Sequence, residues 1–176
     1  MNDHPPKWPT GVGDDPWFPG GINTNPEITK RLGEFLAEFG NLEWSLIWML
    51  AITLGGPRQE QMAAATLGPV TSVATRCDIV EGATAQSAAI DENTRTIIIG
   101  LIGEIRNANT IRNGYVHGRY ELHLNTNEVR LTTFPYSTNR KQTTRVLTTK
   151  QLDKDVAAVS ALVSKILEAF PLTPTS

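Results

Sequence analysis

The chain has one cysteine, no apolar run long enough to cross a bilayer and little net charge, and each shortage removes a class of protein. Cys77 alone cannot close an internal disulfide, so the fold must rest on packing, and a reducing compartment is expected. It lies between Val73 and Val80 in an apolar pattern, the setting of a small buried thiol rather than a nucleophile. The longest apolar stretches, Leu46 to Leu54 and Ile97 to Leu101, fall short of the roughly 20 residues a spanning helix needs, and no hydrophobic N-terminal segment follows a basic start. The expectation is a cytoplasmic protein with no membrane. A net charge of −2 excludes a protein that coats nucleic acid by bulk electrostatics. His4, His117 and His123 are scattered, and HExxH, paired cysteines and a glycine-rich phosphate loop are all missing, so neither metal nor cofactor is expected.

What is present reads as one globular unit. Hydrophobic residues make up 40% and charged residues 19% of the 176, a balance that supports a single packed core. Residues 1–26 hold six of the eleven prolines and show no periodicity, which predicts a flexible arm; Trp8, Trp17 and Phe18 in it are costly to leave in water, so the arm is expected to lie across the bundle or a neighbouring subunit. A packed domain is expected over 27–170 and a short tail over 171–176.

A helix is expected from about Pro26 to Leu54, with its stripe at Leu32, Leu36, Phe39, Leu46, Leu50 and Leu54, ended by Gly55-Gly56-Pro57. Shorter helices follow at about Arg58 to Leu67 and Thr71 to Gly82. A long one runs from Asp91, as N-cap, to Val116, with Ile98, Leu101, Ile105 and Ala108 on one face. Past Gly118 the period becomes two: Tyr120, Leu122 and Leu124, then Val129, Leu131 and Thr133, predict a β-hairpin, and Lys141 to Leu147 offers a third strand. Thr148 with Gln151 forms a capping box for a last helix whose seam is Leu152, Val156, Val159, Val163, Ile166 and Phe170. The predicted fold class is therefore mainly all-α, an up-and-down bundle of four to five helices with a small hairpin, about residues 118–147, inserted before the last helix.

Charge is uneven. Residues 104–145 carry seven Lys/Arg against three acids, net +4, whereas residues 1–103 carry six against twelve. A polyanion would meet the 104–145 stretch, unless that stretch is simply a set of solvated Arg-rich loops.

Within it, Arg112 takes the next seam position after Ala108, and Glu43 takes a seam position in the first helix. A buried unpaired charge costs several kcal/mol, so the two are expected to pair if their helices pack; the alternatives are a register-setting ion pair without chemistry, or a seam open to water at this level. Asn113 and His117, four residues apart, lie about 40° from each other on one helix face, while Arg112 points about 140° from His117 and must curl back to reach it. Gly114 and Gly118 either admit a phosphate or a second backbone, or end the helix. His123 reads as ordinary hairpin surface.

The run Arg112-Asn113-Gly114-Tyr115-Val116-His117 resembles the R-x4-6-H motif of the HEPN (higher eukaryotes and prokaryotes nucleotide-binding) superfamily, including the Asn after the Arg. Its place at the end of a long penultimate helix, with an inward acid in an early helix, is also similar. The resemblance, over roughly residues 27–170, implies a HEPN-type bundle acting as a homodimeric, metal-independent endoribonuclease that leaves a 2′,3′-cyclic phosphate. It further implies His117 as acid or base, Arg112 on the phosphate, Asn113 on the phosphate or orienting the histidine, Glu43 holding Arg112, and Tyr115 and Arg119 as substrate contacts. RNA and a cognate antitoxin or regulator are the expected partners, in a toxin-antitoxin or antiviral setting. The same resemblance also covers non-catalytic dimers that bind nucleotide, RNA or protein, and a purely structural bundle is the third reading.

Overall fold

The apolar seams fold into helices whose ends coincide with capping residues. The computed structural model describes residues 17–134 and 142–171, with α1 at Pro26–Thr53, α2 at Glu60–Leu67, α3 at Val73–Gln86, α4 at Glu92–His117 and α5 at Thr149–Ala169. Asn25, Ser72, Asp91 and Thr148 each accept a backbone N–H of the first turn, from Ile28, Thr75, Thr94 and Gln151, which satisfies donors that have no partner within the helix. The strands among the described residues are β1 (Trp17–Pro19), β2 (Arg119–His123), β3 (Val129–Thr133) and β4 (Thr143–Leu147), paired antiparallel in that order. The molecule is thus mainly helical with a small antiparallel sheet.

Side-chain contacts give the directions. Glu43 and Thr53 of α1 meet Arg76 and Thr84 of α3, and Arg31 and Trp48 of α1 meet Asp153 of α5 and the Phe170 carbonyl just after it. Helices α1, α3 and α5 therefore run one way. Phe35 and Phe39 of α1 meet Tyr115 and Arg112 of α4, so α4 runs the other way. Phe35, Phe39, Leu42, Leu46 and Met49 form the buried stripe of α1, while Leu36, expected there, is 40% exposed, because it is turned about 100° from Phe35. By length and composition α1 could cross a membrane, yet half of its apolar stretch is buried, as in a core helix.

Leu122, Val129, Leu131 and Leu147 join the sheet to the helical core. Gly118 makes this possible: a Cβ there would collide with Leu131, so its missing side chain seats β3 against the end of α4. Of the readings open for Gly118, the structure shows the helix end and a second backbone, that of β3, close beside it, and the nearest neighbour of a Cβ at Gly114 would be Thr133 of β3.

Two expectations are refined here. Residues 17–25 of the predicted arm take the first of its two courses and lie against this chain's own fold: Trp17–Pro19 pairs with His123–Glu121, a 3-10 turn covers Ile22–Thr24, and Asn25 both caps α1 and donates to the carbonyl of Asn127. His123, read as plain surface, accepts the N–H groups of Asn125 and Thr126 on Nδ1 and meets the Trp17 ring edge-on at 4.9 Å. Residues 1–16, with Trp8 and His4, the start of the third strand at Lys141, and the tail at 172–176 lie outside the described residues.

Candidate functional site

Helix α4 is held along its length before it reaches the motif. The Asp91 carboxylate caps it, and the N–H bond from Thr94 holds that carboxyl below the usual carboxylate range. Arg95 donates to the carbonyls of Thr84 and Ser87, and Arg106 pairs with Asp78 and Glu81 of α3. Ile98, Leu101, Ile102, Ile105 and Ala108 bury the inner face.

At the next level inward stands Arg112. Its guanidinium carbon lies 5.8 Å from the centroid of Phe39, and Nη1 donates to Asn113 Oδ1 at 3.1 Å. Both residues are half-buried. The bond occupies the Asn113 carbonyl and leaves its NH2 as a donor. His117, the last residue of α4, is exposed.

The expected pairing of Glu43 with Arg112 does not form. Glu43 accepts from Arg76 of α3 at 3.1 Å, and Arg76 is held further by its Nε bond to the Val70 carbonyl at 2.6 Å. The cause is topological: α3 begins beside α1 at this height, so a second arginine reaches the carboxylate. Among the described residues Arg112 has no carboxylate within ion-pair distance.

Tyr115, expected as a substrate contact, is 1% exposed. Its hydroxyl donates to Asp155 Oδ2 of α5 at 2.5 Å, its ring meets Phe35 edge-on, and Arg145 of β4 lies 5.3 Å above it. Burial first, then the Asp155 carboxylate, push its phenol far above the ordinary tyrosine range. It faces the core because it follows Ala108 by seven residues. Arg119 is exposed, with Nη2 3.1 Å from Glu121 Oε1, and Glu121 also accepts from Arg130 Nε at 2.6 Å. Arg112, Asn113 and His117 thus share the end of α4, whereas Glu43 and Tyr115 serve other contacts.

Two residues of this neighbourhood were missed from sequence. Asp155 lies three residues after Leu152 and four before Val159, a carboxylate at seam spacing, and Arg76 stands three after Val73; both carried the signal of a charge on a buried face. Among the described residues no three His, Cys, Asp or Glu gather as metal ligands, and burial pushes the Cys77 thiol up to about 11, which makes it a poor nucleophile at neutral pH. No family model, curated protein or solved structure matches the chain.

Proposed function

We propose that the chain is a HEPN-type, metal-independent endoribonuclease that works as a cytoplasmic homodimer, with Arg112, Asn113 and His117 as its reacting set. The observation that carries this reading is the state of Arg112. A half-buried guanidinium held by an aromatic face and an amide, with no carboxylate in reach among the described residues, favours an incoming anion. An exposed histidine on the same helix end supplies a proton carrier of the right chemical type.

In this reading the ribose 2′-oxygen attacks the adjacent phosphorus as His117 takes its proton. The bond from phosphorus to the 5′-oxygen breaks, and that oxygen is protonated by the His117 of a second copy. The products are a 2′,3′-cyclic phosphate and a free 5′-hydroxyl. Arg112 and the Asn113 NH2 hold the phosphate oxygens, whose charge grows in the transition state. A cleaving enzyme of this type needs restraint in its own cell, which is the role proposed for a cognate antitoxin or regulator.

One observation favours the second reading, a non-catalytic dimer that binds a nucleotide, RNA or protein. Of the arginines in the basic 104–145 stretch, Arg106, Arg119 and Arg130 are ion-paired with acids of the chain, which leaves less positive surface than the composition implied. The deciding experiment incubates the purified full chain with mixed RNA beside His117→Ala and Arg112→Ala. Cleavage with 2′,3′-cyclic phosphate ends, lost in both variants, is the expected result. Cleavage that persists in His117→Ala overturns the reading, and binding without cleavage moves the assignment to the second one.

A further inference from the structure

The end of α4 that carries the candidate site is gripped by one residue of the motif itself. The Tyr115 hydroxyl donates to Asp155 Oδ2, Asp155 is 7% exposed, and its other oxygen accepts from Gln151 Nε2 at 2.8 Å, one turn earlier on α5. The main chain of Tyr115 is held as well, since its carbonyl accepts from the Tyr120 hydroxyl of β2 at 2.6 Å. Phe35 of α1 meets the ring edge-on at 5.0 Å, and Arg145 of β4 lies over it. Two helices and two strands therefore converge on the third residue after Arg112 and the second before His117.

A buried carboxylate is costly unless its oxygens are bonded, and an apolar side chain of similar volume would serve packing alone. Here both oxygens of Asp155 are committed, one to the motif and one to a side chain that holds Asp155 in place. Hydrogen bonds are directional, so this chain sets the rotation and height of the last turn of α4, which apolar contacts alone allow to slide or fray. The separation of Arg112 from His117 depends on that turn being helical and unfrayed.

We propose that Tyr115 and Asp155 are positioning residues of the candidate site, holding the last turn of α4 so that His117 keeps its place relative to Arg112 and Asn113. This rests on the ribonuclease reading only for its catalytic consequence; the placement of His117 is measurable without any turnover.

The test compares the wild-type chain with Tyr115→Phe, Asp155→Asn and Gln151→Ala, reading the imidazole resonances of His117 by NMR at a temperature where each variant is folded, together with kcat and KM on RNA. Tyr115→Phe removes one oxygen and keeps the ring. It is expected to shift and broaden the His117 resonances and, where the wild type cleaves, to lower kcat about tenfold with KM changed less than about twofold. Gln151→Ala, at a half-exposed position, should give a smaller change of the same sign, and it keeps the test open if Asp155→Asn does not fold. His117 resonances that stay at their wild-type positions in both Tyr115→Phe and Gln151→Ala overturn the proposal, even if melting temperatures fall, because that pattern describes plain packing. Shifted resonances in a chain that cleaves no RNA uphold the positioning role and sink the ribonuclease reading instead.

Discussion

Arg76 and Arg112 reach α1 one helical turn apart, at Glu43 and at Phe39, and only the first meets a carboxylate. Arg76 is neutralised by Glu43 and tied to the Val70 carbonyl, so its bonding is internal to the fold and binds α3 to α1. Arg112 is held by weaker, neutral partners, Asn113 and an aromatic face. The difference teaches how to sort cations in this molecule: composition counts charges, but a cation is available to a ligand only where the fold has not already supplied its counterion. By that rule, among the described residues, the basic stretch contracts to Arg112 and Arg145 around the end of α4.

The sharpest way to break the comparison is to give Arg112 the carboxylate it lacks. Asn113→Asp places one beside Nη1, and affinity for RNA, measured by titration in the uncleaving His117→Ala background, is expected to fall about thirtyfold, or ~2 kcal/mol. Unchanged affinity would mean that anions do not meet Arg112 at all. The converse change is smaller and falls on stability: Glu43→Gln removes the partner of a partly buried Arg76 and should lower unfolding free energy by about 1–1.5 kcal/mol in chemical denaturation. RNA affinity should stay within about twofold. A large loss of binding there would restore Glu43 to the site.

The smallest effect concerns Glu121, which collects Arg130 and Arg119 on the sheet. The bond from Arg130 holds its carboxyl below the ordinary 4.5, so the folded chain favours the ionised form. The resulting stability is complete above pH 4.5 and is lost as pH falls through the lower folded value. Glu121→Gln should therefore cost about 1 kcal/mol at neutral pH, with the gap to wild type closing in acid, as followed by denaturant titration across pH. A gap that persists at low pH would show that packing rather than charge sets its contribution.

Much of the fold could be read locally. Asp91 and Thr148 announced two helix starts, because a cap needs only a side-chain oxygen and a donor three residues on. The change of period past Gly118 marked the β2–β3 hairpin for the same reason. Phe35 against Leu36 was harder, since both sit beside apolar neighbours in a helix rich in them and the choice of face depends on which helices arrive. Strand β1 was hidden in a proline- and glycine-rich segment whose only recommendation for pairing is the strand beside it.

The candidate site divides along the same line. That Asn113 and His117 share a helix face, with an arginine just before them, follows from the chain itself through helical geometry, an interaction range of one turn. Which carboxylate meets which arginine, and which side chain receives the Tyr115 hydroxyl, could be decided only by tertiary structure. Glu43, Arg76, Arg112 and Asp155 lie tens of residues apart, and their pairings depend on the direction and height at which α3 and α5 pack against α1 and α4. Local spacing marks each as a charge in need of a partner; the packing of distant helices supplies a carboxylate to Arg76 and withholds one from Arg112.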